Sequence, residues 1–177
     1  MKKLLLVFSV FRVFSVSGVS EALAQKFALV DMEYILKNVP AYERANEQLN
    51  QLSKKWESEV QAILTEVESE YKKYQSETVF LSDAQKKKTE ESIIAKEKQA
   101  SDLKKKYFGS EGELYKKRQS LMAPIQDEIY SAVKDICDQK GYQLVLDRAS
   151  GGSIIYASPK IDISEEVLTK LGYSTNY

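Results

Sequence analysis

Asp147 and Asp162 are the residues with the best claim to acid–base chemistry in this chain. Each closes or precedes an apolar run, where a carboxylate pair could divide a proton between them. A turn and a helix entry explain the same two positions more simply. Cys137 is the single thiol. Between Ile136 and Asp138, near a helix end, it reads as a small buried apolar residue, and alone it allows no disulfide within the chain. Histidine is absent, which removes the commonest general base and the commonest transition-metal ligand. No cysteine cluster has zinc spacing, and no glycine-rich phosphate loop or dinucleotide fingerprint occurs; Gly151-Gly152 is turn material. The expectation is a protein that is not an enzyme and uses no metal or cofactor. Any action on a partner is then passive binding, without ATP.

Charge is the next chemistry to weigh. The 26 basic and 26 acidic residues cancel, but they are not evenly spread. Residues 41–70 carry seven acids and three bases, and residues 86–118 carry eleven bases and six acids. Opposite charge on two segments favours their pairing with each other over self-association of either. The interspersed acids make nucleic acid a poor partner for the basic segment.

The elements that would position these charges are long. After a short strand-length run, Phe27-Ala28-Leu29-Val30-Asp31-Met32, Pro40 stands in the first-turn position that proline tolerates. Ala45, Leu49, Leu52, Trp56, Val60, Ile63, Val67, Tyr71 and Tyr74 then recur at steps of three and four, one narrow stripe on one face. A helix over residues 41–78 would be about 57 Å long, more than a small core can cover. Val79-Phe80-Leu81 ends it, and Ser82 with Gln85 forms a capping box that starts another. Ile93, Ala100, Tyr107, Leu114 and Leu121 follow at seven-residue intervals, with Leu103 between them, while Lys96, Ser110 and Lys117 interrupt the seam. Folding the chain back near residue 80 sets Val67 beside Ile93 and Ile94, Ile63 near Ala100, and Trp56 beside Leu103 and Tyr107. The spacing predicts an antiparallel helical hairpin.

Gly109 and Gly112 weaken the returning helix, and Pro124 is expected to kink or split it, so the arm should flex against its base. Beyond Pro124, Ile125, Ile129, Val133 and Ile136 continue an apolar face, and Lys140-Gly141 closes the helix. Tyr142–Asp147 and Ser153–Ala157 read as two strands joined by a five-residue hairpin loop, and Ser164 as the cap of a last short helix. The strands are apolar on both faces: Phe27, Leu29 and Val30 in the first, Leu144 and Leu146 in the second, Ile154, Ile155 and Tyr156 in the third. Two-sided burial needs cover from both directions, which so small a body lacks. These eight residues are therefore the candidate oligomer interface. The fold class is α+β, mostly helical: a small strand-containing association body from residues 25–40 and 124–177, and a helical-hairpin arm from residues 41–123 with its tip near 79–82.

The first 24 residues read as a secretory signal. Lys2 and Lys3 precede the apolar run Leu4–Phe11, and Ala22-Leu23-Ala24 supplies a small-residue cleavage pattern. Arg12 splits the apolar stretch and argues against an uncleaved anchor.

The signal, the Phe27–Met32 strand, the long hairpin, Pro124-Ile125, Gly141-Tyr142 with Val145-Leu146-Asp147, Tyr156-Ala157, and Asp162-Ile163-Ser164 with Val167-Leu168 follow one another in an order that resembles the Skp (OmpH-like) family of periplasmic chaperones. The resemblance implies a homotrimer in the periplasm whose three arms enclose unfolded outer-membrane proteins and prevent their aggregation. The family members in view are strongly basic and this chain is not, so contact with lipopolysaccharide or an anionic membrane surface is not carried over. Val79, Phe80 and Leu81 at the turn, with Phe108 and Tyr115 off the seam, are the candidate client-binding residues. The alternative is a structural or adaptor coiled-coil protein of the cell envelope. A spacer of that kind would avoid both the glycines and the interrupted seam.

Overall fold

The computed structural model describes residues 26–150 and 154–173. The expected signal segment and Ser153 lie outside them. Strand β1 (Phe27–Val30) is followed by helix α1 (Met32–Lys37) and the long helix α2 (Pro40–Glu77). A 3-10 turn (Thr78–Phe80) leads into α3 (Asp83–Phe108), then come α4 (Glu113–Lys140), strand β2 (Leu144–Asp147) and α5 (Ser164–Lys170). β1 and β2 pair in parallel, Phe27 with Leu144 through Val30 with Asp147. Parallel strands need a long crossover, and here the whole helical hairpin provides it.

The apolar core lies around this strand pair. Ala28 and Val30 meet Ile35 of α1, Ala45 at the start of α2, Ile125, Ile129, Ala132 and Ile136 of α4, and Val167 and Leu168 of α5. On β1 the alternation of a strand sends Ala28 and Val30 inward, where the helices cover them. Gly141 ends α4 in the left-handed conformation (φ 73°), and the Cys137 carbonyl accepts from the N–H groups of Gly141 and Tyr142 at 2.8 and 3.2 Å.

The remainder of α2 leaves the core and runs against α3. Pro40 occupies its first turn as expected, and 38 residues of helix follow. Val60, Val67, Ile93 and Ala100 are buried in the helix pair, which is the anticipated hairpin. Ser82 and Gln85 form the capping box. The interrupted seam has an unexpected occupant. Lys96 Nζ lies 3.1 Å from Glu66 Oε2 and 2.5 Å from Glu70 Oε1, an ion pair in place of an apolar layer.

Four expectations need correction. The first strand stops at Val30, because the Asp31 carboxylate accepts from Tyr34 N–H at 2.8 Å and starts α1, a six-residue helix too short to announce itself by periodicity. Ser153–Ala157 is no strand where it is described: residues 154–158 have no regular structure, with Ile155 fully exposed and Tyr156 83% exposed. Among the described residues no strand is paired with that segment, and a strand without a neighbour has no ladder to hold it. Pro124 does not split α4. It sits on the exposed face, where the carbonyl it leaves unbonded can be solvated. Ser164 is not the cap of α5, whose entry is held instead by Asp162: its Oδ1 accepts from Ser164 N–H at 2.9 Å and from Ser164 Oγ–H at 2.6 Å.

Candidate functional site

The proposed carboxylate pair is not assembled. Asp147 Oδ1 accepts from the N–H groups of Met32 and Ala149 at 3.1 and 2.9 Å. Burial works against its charge, but the backbone donors outweigh burial and its pKa lies below the usual aspartate value. Asp162 faces Arg148 instead. The Arg148 guanidinium reaches Asp31 Oδ2 at 3.0 Å and Asp162 Oδ2 at 3.4 Å, while Asp31 N–H donates to Ser164 Oγ at 2.8 Å. This knot ties the end of β2 to the entrances of α1 and α5. Its carboxylates are spoken for by permanent donors, which fits them for holding the fold and not for moving protons. Cys137 is half-buried, and burial raises its thiol pKa. No group of three metal-ligating residues occurs among the described residues.

What the chain does present is exposed apolar surface, gathered in three places. At the far end of the hairpin the 3-10 turn exposes Val79 and Phe80, the latter to 84%. Leu81 is half-buried, turned into a cleft with Tyr74 and Thr89. At the core end, the outer face of the strand pair shows Phe27, Leu144 and Leu146; Ile155 and Tyr156, beyond β2 in the chain, are exposed as well. Leu29 and Val30 are each only 4% exposed and belong to the chain's own interior. They cannot form a surface of this fold, and the candidate interface contracts to Phe27, Leu144, Leu146, half-buried Ile154, Ile155 and Tyr156. Beside the strands a groove of about 610 Å³ runs between α4 and β2, lined by Ile129, Tyr130, Val133, Tyr142 and Val145. Tyr130 is 71% exposed there. Sequence periodicity passed over it because it falls outside the α4 stripe.

The third place is midway along the arm. The Trp56 ring stacks on Tyr107, centroids 4.8 Å apart and planes 5° from parallel, as the hairpin register required. Phe108 meets Trp56 edge-on at 6.4 Å. One of the candidate client residues is thus engaged within the arm itself, though it still forms one wall of a groove of about 780 Å³ with Val60, Leu64 and the aliphatic parts of Lys54 and Lys104. Tyr115 is exposed on α4, and its hydroxyl accepts from Gln119 Nε2 at 2.6 Å. Tyr71 of the α2 stripe and Ile94, expected beside Val67, turn outward, so Ile93 alone of its pair enters the seam.

A small apolar core with a strand pair and a long charged hairpin is a distinctive outline, and residues 26–171 match the family model for outer membrane protein, OmpH-like. The chain belongs to the OmpH-like family. The chaperone protein Skp of Photorhabdus laumondii is 26% identical over 171 residues, covering 97% of this OmpH-like chain and 99% of the relative. Skp of Yersinia enterocolitica is 25% identical over 150 residues, 84% of this chain and 87% of its own. A crystal structure of the OmpH-like protein of Caulobacter crescentus has a TM-score of 0.69 over 85% of this chain and 88% of that one, at 12% identity, a likeness of fold. No helix among the described residues of the OmpH-like chain is long and apolar enough to cross a membrane.

Proposed function

We propose that this OmpH-like chain is an exported holding chaperone that binds unfolded outer-membrane proteins in the periplasm and keeps them from aggregating. The observation that carries the reading is the placement of exposed apolar groups at opposite ends of one molecule. A sheet face with Phe27, Leu144 and Leu146 lies at the core end, and Val79 and Phe80 lie at the tip of the arm. A parallel strand pair that leaves Phe27, Leu144 and Leu146 exposed on its outer face favours cover by a second copy. Association there, as a trimer, leaves the arms free to surround a client. Residues 1–24 serve as the export signal and are removed.

Many weak contacts on several arms hold a client by avidity, and each contact remains easy to break. The arm suits this use, since charged side chains outnumber apolar ones on its exposed faces. Binding uses no nucleotide on this reading, since the sequence carries no glycine-rich phosphate loop to hold one.

The test is suppression of aggregation of several unrelated unfolded barrel proteins, with the triple variant Val79→Ser, Phe80→Ser, Leu81→Ser beside the unaltered chain. The reading predicts protection of all clients by the unaltered chain and weaker protection by the variant at unchanged oligomer mass. Protection of none would overturn it in favour of an envelope spacer.

A further inference from the structure

The arm has two unlike sides. Contacts between its helices fix which residues stand level: Tyr107 with Trp56, Lys96 with Glu66 and Glu70, and Glu90 with Tyr74. On one side these links are polar. Glu59 accepts from the Tyr107 hydroxyl at 2.7 Å, and Glu66, about two turns further along α2, pairs with Lys96. The other side is apolar. Leu64 and Phe108 meet there in the mid-arm groove. Tyr71 lies about two turns beyond Leu64, and Ile94 about four turns before Phe108, so both stand on the groove's side. Leu64, Tyr71 and Ile94 are exposed, and the strip ends on Val79 and Phe80 at the tip.

From Lys54 to the tip the strip is about 40 Å long. The groove occupies one end and the tip residues the other. Tyr71 and Ile94 stand level with each other near the midpoint. A second copy turned end over end about that midpoint sets tip against groove twice, and Tyr71 and Ile94 against their own equivalents. Charge selects this direction. Lys54 and Lys104 line the groove with no ion-pair partner among the described residues, while Glu57 there accepts from Ser53 Oγ at 3.0 Å. Asp83 stands about three turns before Ile94, on the same side of α3, exposed and also without an ion-pair partner among the described residues. Lys86, seven residues before Ile93, belongs to the seam. Copies turned end over end bring Asp83 to Lys104, whereas parallel copies would set Lys104 against Lys104.

We propose that this strip is a docking surface for the same strip on a second copy of the chain, the two arms lying antiparallel with each tip in the other's groove. With a width of about 10 Å, the strip covers roughly 400 Å² per copy, about half of what a standard interface takes from each partner. Pairing is therefore weak: it forms near about 100 µM chain and parts at a few micromolar. Val79, Phe80 and Phe108 are covered in the pair, so a client has to displace the second copy before it is held. That consequence rests on the holding reading; the pairing itself does not.

Single-cysteine chains test the pairing without any client. On a Cys137→Ser background, chains with Gln61→Cys are mixed with chains with Gln75→Cys at about 100 µM, and a short thiol cross-linker is added. The two positions stand side by side in antiparallel arms, and no chain carries both, so a mixed product always joins two chains. Arms that collide in parallel join like positions instead. The mixed product should exceed either like product by about threefold or more. Lys104→Glu should lower it about threefold, and Lys104→Glu with Asp83→Lys should restore it. Leu64→Ser with Ile94→Ser should remove it at unchanged helix content. A mixed product no greater than the like products overturns the proposal, as does one indifferent to Leu64→Ser with Ile94→Ser. Unfolded barrel protein, added last, should lower the mixed product as it is held. Its aggregation is followed in the same samples, so a failure to hold clients is read separately from a failure to pair.

Discussion

The core end and the arm are held by different physics. Around the strand pair, Ala28, Ile35, Val167 and Leu168 are wholly removed from solvent, in one apolar cluster drawn from β1, α1, α2, α4 and α5. Along the hairpin, buried residues are widely spaced, and the intervals hold ion pairs and aromatic rings: Lys96 with Glu66 and Glu70, Trp56 with Tyr107. A contiguous core loses stability steeply with each deletion, because the neighbours cannot collapse into the space. A thin seam has solvent on both sides and relaxes. One chain thus combines a base that keeps its shape with a limb that need not.

Deletions of equal size should expose that contrast first. Ile129→Ala at the core end is expected to cost about 2–5 kcal/mol in urea unfolding, and Ile93→Ala in the seam clearly less. Equal losses would mean the arm is as well packed as the core. Breaking the aromatic clasp with Trp56→Ala should come next, near 1–3 kcal/mol, from lost ring area and stacking. That loss should appear as faster amide exchange in α2 and α3 and leave α5 unchanged. Arg148→Ala sets the Asp31 and Asp162 carboxylates against each other without a cation. With half of the arginine side chain exposed, about 1 kcal/mol is expected, screened in part by salt.

The smallest effects are those of pH, and their signs differ between the two regions. Asp147 has a lowered folded pKa, so its contribution is complete above the ordinary value of 3.8 and is lost as pH falls through the lower folded value. Lys96 is raised above 10.5, by its hydrogen bond to Glu70 first and Glu66 second. Its contribution is complete below 10.5 and disappears as pH rises through the folded value. Asp147→Asn should therefore flatten the acid limb of the stability profile, and Lys96→Met the alkaline limb. A variant that leaves its limb unchanged removes that group from the account.

The arm was readable from sequence because its signals are long or strictly local. A stripe from Ala45 to Tyr74 repeats often enough to define a face, and Ser82 with Gln85 is a self-contained device. The register followed, and Trp56 met Tyr107. The core end was harder. α1 has six residues, fewer than two turns, and its start signal at Asp31 was hidden inside an apolar run. Ile154-Ile155-Tyr156 has the composition of a strand, but composition cannot supply the neighbour a strand needs. The Arg148 knot joins residues 117 positions apart, a distance no spacing rule spans. Among the candidate client residues, the exposure of Val79 and Phe80 agrees with their place at the turn. The exposure of Tyr130 and Leu64 depends on which helix face the neighbours cover, and only the assembled fold decides that.

Sedimentation equilibrium of residues 25–177, the product of the proposed export, beside the variant Phe27→Ser, Leu144→Ser, Leu146→Ser, bears most directly on the proposal that the outer sheet face joins the subunits. Three chain masses for the unaltered protein and one for the variant, with helix content preserved, is the predicted result. A single chain mass for the unaltered protein would contradict it, since arms on separate monomers enclose nothing.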